Sequence, residues 1–244
     1  MAKPRDHLRN PPIEEAIVEF RVRPREGTTL QDLAPLRELL AVKYPQITEL
    51  RELQFLAGVD SGQQFSSQGQ RLMGWLLRSQ DNRYAVRVCG DNFAFSQLRP
   101  YTCWEDVVAV AFPLWTRYVE ASRPVEVARL GVRYINKIEV PRVRFGVYLE
   151  APPTPPELAP LEIPQFLTRI TFNDTELSCQ GTVTQANGPV PPPDRMQLLL
   201  DIDAFREGPW PAEAIHAASL EPLRKLKNKL FFAHLTDAAV ARYE

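Results

Sequence analysis

Catalytic signatures are what this chain of 244 residues lacks. It holds no glycine-rich phosphate loop, no GxGxxG, no zinc-ligand spacing, no nucleophile elbow and no paired His/Cys constellation. Cysteine is scarce: Cys89, Cys103 and Cys179 are odd in number, widely spaced and never in CxxC spacing. That excludes a disulfide framework or a cysteine zinc site and leaves three reduced thiols. Histidine is equally scarce, and His7, His216 and His234 have no nucleophile near them in sequence. No apolar run approaches the ~20 residues that a membrane-spanning helix needs. Neither charge sign is in excess: 29 Lys and Arg face 30 Asp and Glu. Bulk attraction to nucleic acid or membrane is therefore absent.

What the chain does have is fold-building material. With 44% hydrophobic and 24% charged residues it can bury a sizeable core. The polar start, Met1 to His7, has no apolar stretch of the secretory kind, so a cytoplasmic protein without cofactors is expected. Charge is mildly uneven: residues 1–150 carry a net +3 and residues 151–244 a net −4, which puts basic surface in the first part.

Alternation predicts a strand over Ile13–Arg23 and a helix from Leu30 to Tyr44, stopped by Pro45, with Thr29 and Asp32 at its start. A short strand at Leu53–Ala57 and a polar loop over Gly62–Gly69 follow, then three strands near 72–79, 83–89 and 92–98. Thr102 and Glu105 have capping-box spacing ahead of a wide stripe from Trp104 to Val119, which Pro113 should kink or break. Strands are expected at 125–140, 142–149, 166–172, 176–185 and 195–204. A helix then runs from near Pro211 to Phe232, restarting around Glu221, with a last turn opened by Thr236 and Asp237.

Residues 152–164 hold six prolines, a stiff connection that divides the chain. The expected organisation is a first half at 1–150, a Pro-rich connection at 151–165 and a second half at 166–244. The fold class is α+β: an antiparallel meander sheet with long helices on one face, in two related β-α-β-β-β-α halves.

Three groups of residues could carry function. The first is a basic sheet face. Period-two alternation puts Arg129, Arg133 and Lys137 on one side of a strand, and does the same for Arg21 with Arg23, Arg83 with Arg87 and Arg142 with Arg144. Matching faces would gather these nine cations into a surface for phosphates, RNA or an acidic tail. Against this, an antiparallel sheet with one wet face uses arginine there anyway, and Glu19 and Glu139 would neutralise part of it. Tyr84, Phe93 and Phe95 fall on the apolar register, so the stacking platform of an RNA-reading sheet is missing. The second group is Asp201 and Asp203, whose carboxylates share a side about 7 Å apart, a weak candidate for a divalent metal because no third acid is identifiable. The third is the terminal helix, where Leu223, Leu226, Leu230 and Phe231 form a stripe for the core or for a partner, and Arg224, Lys225, Lys227 and Lys229 dress the rest.

Three segments are familiar together: Asn10–Arg21 (NPPIEEAIVEFR), Arg129–Ile138 (RLGVRYINKI), and Leu200–Asp203 (LDID) with the terminal helix that follows it. The chain resembles a sporadically distributed family of bacterial and archaeal proteins of about this length. The resemblance implies a mobile or defence-linked gene neighbourhood, CRISPR-type or other, and supplies no catalytic residue to carry over. The expected function is a non-enzymatic protein-interaction or regulatory module whose partner is another protein of the same operon or system, or a second copy of itself. The alternative is a nucleic-acid-binding accessory that uses the basic face. The third reading is a metal-dependent phosphotransfer enzyme built on Asp201 and Asp203. No membrane contact is expected.

Overall fold

Strict alternation starts the fold. β1 (Ile13–Arg23) buries Ala16, Val18, Phe20 and Val22 and turns Ile17, Glu19, Arg21 and Arg23 the other way. The structure, a computed structural model, describes residues 8–60, 63–141, 145–154, 163–187 and 195–244, without the side chains of 53–60 and 63–68. α1 (Leu30–Ala41) begins where the Thr29 amide donates to Asp32 Oδ2 at 2.8 Å. It closes before Tyr44, which turns into the core.

β2 (Gln46–Asp60) and β3 (Gln63–Arg78) form one long antiparallel ladder, paired from Gln46 opposite Arg78 to Asp60 opposite Gln63. This corrects the expected short strand and polar loop. Ladder hydrogen bonds are made by the backbone, so a polar segment such as Gln63–Gln70 can pair without showing apolar alternation. β4 (Tyr84–Cys89) and β5 (Asn92–Leu98) continue the meander.

α2 (Trp104–Ser122) starts one residue later than the capping-box spacing predicts. Cys103 is the residue ahead of its first turn, and the Thr102 hydroxyl instead accepts from Gln97 Nε2 at 2.8 Å. The helix also continues through Pro113. Buried residues on both sides of that proline, from Trp104 and Val107 to Trp115 and Tyr118, hold the two segments in one element. Here packing offsets the missing hydrogen bond.

β6 (Glu126–Pro141) lies beside β1. Of the expected 142–149 strand, residues 142–144 lie outside the described residues. Phe145–Val147 is a 3-10 turn, and Leu149 makes an isolated bridge to Leu235. β7 (Leu167–Asp174), β8 (Cys179–Asn187) and β9 (Arg195–Trp210) complete what is, among the described residues, a nine-stranded antiparallel sheet ordered β2-β3-β4-β5-β1-β6-β9-β8-β7. β6 pairs with β9 from Val127 opposite Trp210 to Pro141 opposite Arg195, so the sheet runs unbroken across the Pro-rich connection.

Two short 3-10 turns, Ala212–Ala214 and Ala217–Leu220, come first, and the helix proper, α3, spans Glu221–His234. Pro222 stands in its first turn, where a missing N–H leaves no bond unmade. His216 precedes α3, so it does not share a helix with His234. α4 (Asp237–Val240) is opened by Thr236, whose hydroxyl accepts from the Ala239 amide.

α2 packs on β1 and β5, α3 packs on β6, β8 and β9, and α1 packs on α2, β3 and β4. At the centre Trp115 stacks on Phe20 with ring centroids 4.3 Å apart, with Phe93 and Tyr118 alongside. No helix among the described residues is long and apolar enough to cross a membrane.

Candidate functional site

The three segments that carry the family resemblance meet in space, on the adjacent strands β1, β6 and β9. On the sheet face opposite Phe20 and Trp115, Glu19 of β1 stands across from Gly131 of β6, which stands across from Phe205 of β9. The Arg129 side chain lies over Gly131, where an added Cβ would stand 2.7 Å from Nη1. From there Arg129 Nη1 donates to Glu19 Oε2 and Nη2 to Asp203 Oδ2, each at 2.7 Å, and its guanidinium sits 4.4 Å from the Phe205 ring centroid. The Arg129 side chain is only 11% exposed, with Glu19 at 17% and Asp203 at 26%. Burial and the neighbouring Glu19 hold the Asp203 carboxyl above its ordinary value, against the pull of Arg129. Beside this triad Arg133 grips Asp201 through Nε at 2.8 Å and Nη2 at 2.5 Å. That contact raises the arginine further above its ordinary value.

The expected basic face is therefore an alternating ladder. Arg21 and Arg87 also reach Glu19, at 3.3 and 3.9 Å, and Asn92 donates to it at 2.9 Å. Arg23 pairs with Glu126 at 3.0 Å. Arg83 precedes β4, its amide donating to Asp81 Oδ1. Arg142 and Arg144 lie outside the described residues. Asp201 and Asp203 do not stand free at a strand end; both are held by arginines within β9, and a cation there would have to displace Arg133 and Arg129. Among the described residues no group of three His, Cys, Asp or Glu is arranged to hold a metal. Leu223, Leu226, Leu230 and Phe231 are buried against the chain's own sheet, so this stripe is not free for a partner: Leu226 and Leu230 close over Gly181 of β8, where a side chain would collide with them.

Lys137 belongs to a different surface. A groove of about 460 Å³ at the end of β1 and β6 is lined by Arg9, Arg99, Lys137, Arg195 and Arg242, with Glu139 as its one carboxylate. Arg99 pairs with Glu14 at 2.8 Å and Arg195 with Glu139 at 4.0 Å. Pro11, Ile13 and Tyr101 form part of the groove's wall and, on their other side, line a smaller cavity of about 100 Å³ under α3.

That smaller cavity holds a residue that the charge pattern alone places on the outside of the helix. Lys227 sits four positions after Leu223 and three before Leu230, so helical spacing puts it on the buried stripe. Its Nζ lies 3.9 Å from the Tyr134 ring centroid. Burial, with Arg224 nearby, pushes the ammonium down to about 7. The ring face pulls the other way, because it favours the charged form. Tyr101, Tyr134, Cys103, Glu105 and Arg224 face the same cavity. Burial lifts Tyr101 to about 12 and Tyr134 well above its ordinary value, so both hydroxyls keep their protons through neutral pH.

The depressed lysine has a consequence for stability. Unfolded, the amine holds its proton up to its ordinary 10.5; folded, it releases it near 7. Over that window the unfolded state binds more protons, so stability rises with pH. Urea unfolding of the wild type and of Lys227→Met should show the wild type gaining on the variant from pH 7 to about pH 9. Parallel stability profiles would contradict the assignment.

No family model matches this chain, and no curated protein matches it in sequence.

Proposed function

We propose that this chain is a non-enzymatic interaction module that binds another protein, and that the edge strand β7 is where the partner docks. The observation that carries this reading is the exposure of β7. It is the last strand of the sheet, and among the described residues its outer edge pairs with nothing. Leu167 is 71% exposed and Ile170 53%. Edge strands of this kind template pairing, and β7 carries one charge within it, Arg169, before its last residue Asp174. An extended segment of a partner would add a tenth strand through backbone hydrogen bonds, with Leu167 and Ile170 giving apolar contact on the two faces. On the resemblance alone, we read that partner as another protein of the same mobile or defence-linked system.

The two-halves organisation belongs to the same reading. β1 and β6 are neighbours, and the sheet leads outward from them to β5-β4-β3 on one side and β9-β8-β7 on the other. This supports two β-α-β-β-β-α units related across the β1–β6 pair, with the Pro-rich segment in place of the second unit's first helix and the long helices on one face. Under that scheme β7 corresponds to β3, and β2 is an added strand beyond β3, so that among the described residues the two edges of the sheet are β2 and β7.

A second reading is favoured by the groove. Its five cations, of which Arg99 pairs with Glu14 and Arg195 with Glu139, suit a phosphate chain better than the neutralised ladder does. Salt separates the two readings: phosphate contacts weaken steeply with salt, whereas strand pairing with apolar contacts does not.

Ile170→Lys places a charge on the edge and should lower partner capture about tenfold or more, a change of ~1.4 kcal/mol or above. Its melting curve should stay close to wild type, because the substituted side chain is exposed. Capture by the variant at wild-type level in high salt would sink the β7 assignment.

A further inference from the structure

Segments far apart in the sequence bring cations to the groove at the end of β1 and β6. The Asn10 amide donates to the Tyr243 carbonyl at 3.1 Å, which lays the turn after α4 against the segment ahead of β1 and puts Arg242 and Arg9 in one wall. The Lys137 amide donates to the Pro12 carbonyl at 2.8 Å, and the Arg99 amide to the Glu14 carbonyl at 2.9 Å. Pairing of β6 with β9 sets Arg195 opposite Pro141. Among the described residues no carboxylate pairs with Arg9, Lys137 or Arg242. The other two cations are loosely held: Arg99 is 68% exposed in its pair with Glu14, and Arg195 is 48% exposed, 4.0 Å from Glu139. Surface pairs of this kind contribute little, so either arginine can turn to a ligand.

This charge does not continue along the sheet. Arg133 and Arg129, which precede Lys137 on β6, are bound by Asp201 and Asp203. The free cations therefore form a cluster and not a track, and a cluster fits a ligand whose own charges are gathered together. We propose that the groove binds a short chain of linked phosphates, either the triphosphate of a nucleotide or a free oligophosphate. The inference rests on the groove of the second reading and narrows it: a nucleic-acid strand spreads its phosphates one per nucleotide, whereas linked phosphates bring several charges to one place. The volume of about 460 Å³ suits a ligand of this size. Lys137 is half-buried and the four arginines are exposed, so a compact ammonium stands deeper than the guanidinium forks, which grip phosphate oxygens in pairs. Tyr101 and Tyr243 line the same groove and supply ring surface on which a base could rest.

The test is calorimetric titration of the full chain at low salt with three probes: inorganic tripolyphosphate, ATP, and a single-stranded oligodeoxynucleotide without a terminal phosphate. Tripolyphosphate should bind the wild type and should bind a Lys137→Met, Arg242→Ala chain about tenfold more weakly or worse. Arg23→Ala removes a cation at the far end of β1, outside the groove, and should bind as the wild type does. Its circular-dichroism melting curve, compared with that of the double variant, separates lost binding from lost folding, and Arg242→Ala alone alters only an exposed side chain. ATP bound more tightly than tripolyphosphate assigns the phosphates to a nucleotide; tripolyphosphate bound as tightly or more so assigns them to a free chain. An oligodeoxynucleotide that binds through Lys137 and Arg242 while neither triphosphate binds would overturn this inference and leave the second reading standing. Binding of none of the three would overturn both, and an equal loss in Arg23→Ala would show diffuse attraction in place of a site.

Discussion

Arg129→Met should lose about 3–5 kcal/mol of stability in urea unfolding, the usual effect of removing one partner from a buried ion pair. The reason is what remains behind. Asp203 on one side of β6 would lose the cation that holds it, with little water to replace it, and Glu19 on the other side would keep only Asn92 and the more distant Arg21 and Arg87. Arg129→Lys should rescue little, because a single ammonium cannot bridge both carboxylates and lie flat on Phe205 as the guanidinium does. Replacing Glu19 and Asp203 with Leu in the Arg129→Met background should recover most of the loss, since the desolvated charges go together. A loss below about 1 kcal/mol for Arg129→Met would mean that the ladder behaves as a screened surface network. The same result decides which variants can test nucleic-acid binding. Alanine at Arg129 would confuse lost binding with lost folding, whereas Arg99 and Arg242 line the groove outside the triad.

Trp115→Ala should be as damaging, at about 3–5 kcal/mol. The indole is buried between the Phe20 and Tyr118 rings, with Phe93 and Tyr118 at centroid distances of 5.9 and 5.6 Å. Removing it opens a cavity beneath α2 that the sheet cannot close, because Phe20 is fixed by its pairing to both β5 and β6. Trp115→Phe keeps most of the stacking and should lose clearly less than Trp115→Ala. Urea curves with an unchanged slope and a shifted midpoint would give both values. A midpoint for Trp115→Ala indistinguishable from wild type would contradict the core assignment.

These two residues mark how far local pattern reaches. Trp115 lies on a helical stripe that periodicity exposes, and Phe20 lies on a strand whose alternation is strict, so the central layer is legible in the sequence itself. The side of Arg129 on its strand is legible for the same reason. Its partners are not. Strand order is set by long-range pairing, so nothing local tells that β1 and β9 flank β6 and bring Glu19 and Asp203 to one guanidinium. Gly131 is the available signal, a residue with no side chain between two arginines, which leaves room for the first to fold across the sheet. Lys227 is also within reach, because its spacing from Leu223 and Leu230 places it on the buried stripe. The long ladder of β2 and β3 is out of reach, because Gln63–Gln70 carries no alternation to read.

The most direct measurement is capture from a lysate of the source organism on immobilised wild-type chain and on Ile170→Lys, each washed at low and then at high salt. The expected result is a protein retained by the wild type through the high-salt wash and lost on the variant, with a chain carrying Arg99→Ala and Arg242→Ala still retaining it. Nucleic acid held by the wild type at low salt, released at high salt and missing from the Arg99→Ala, Arg242→Ala chain, with no protein dependent on Ile170, would contradict the interaction-module account and make the groove the functional surface.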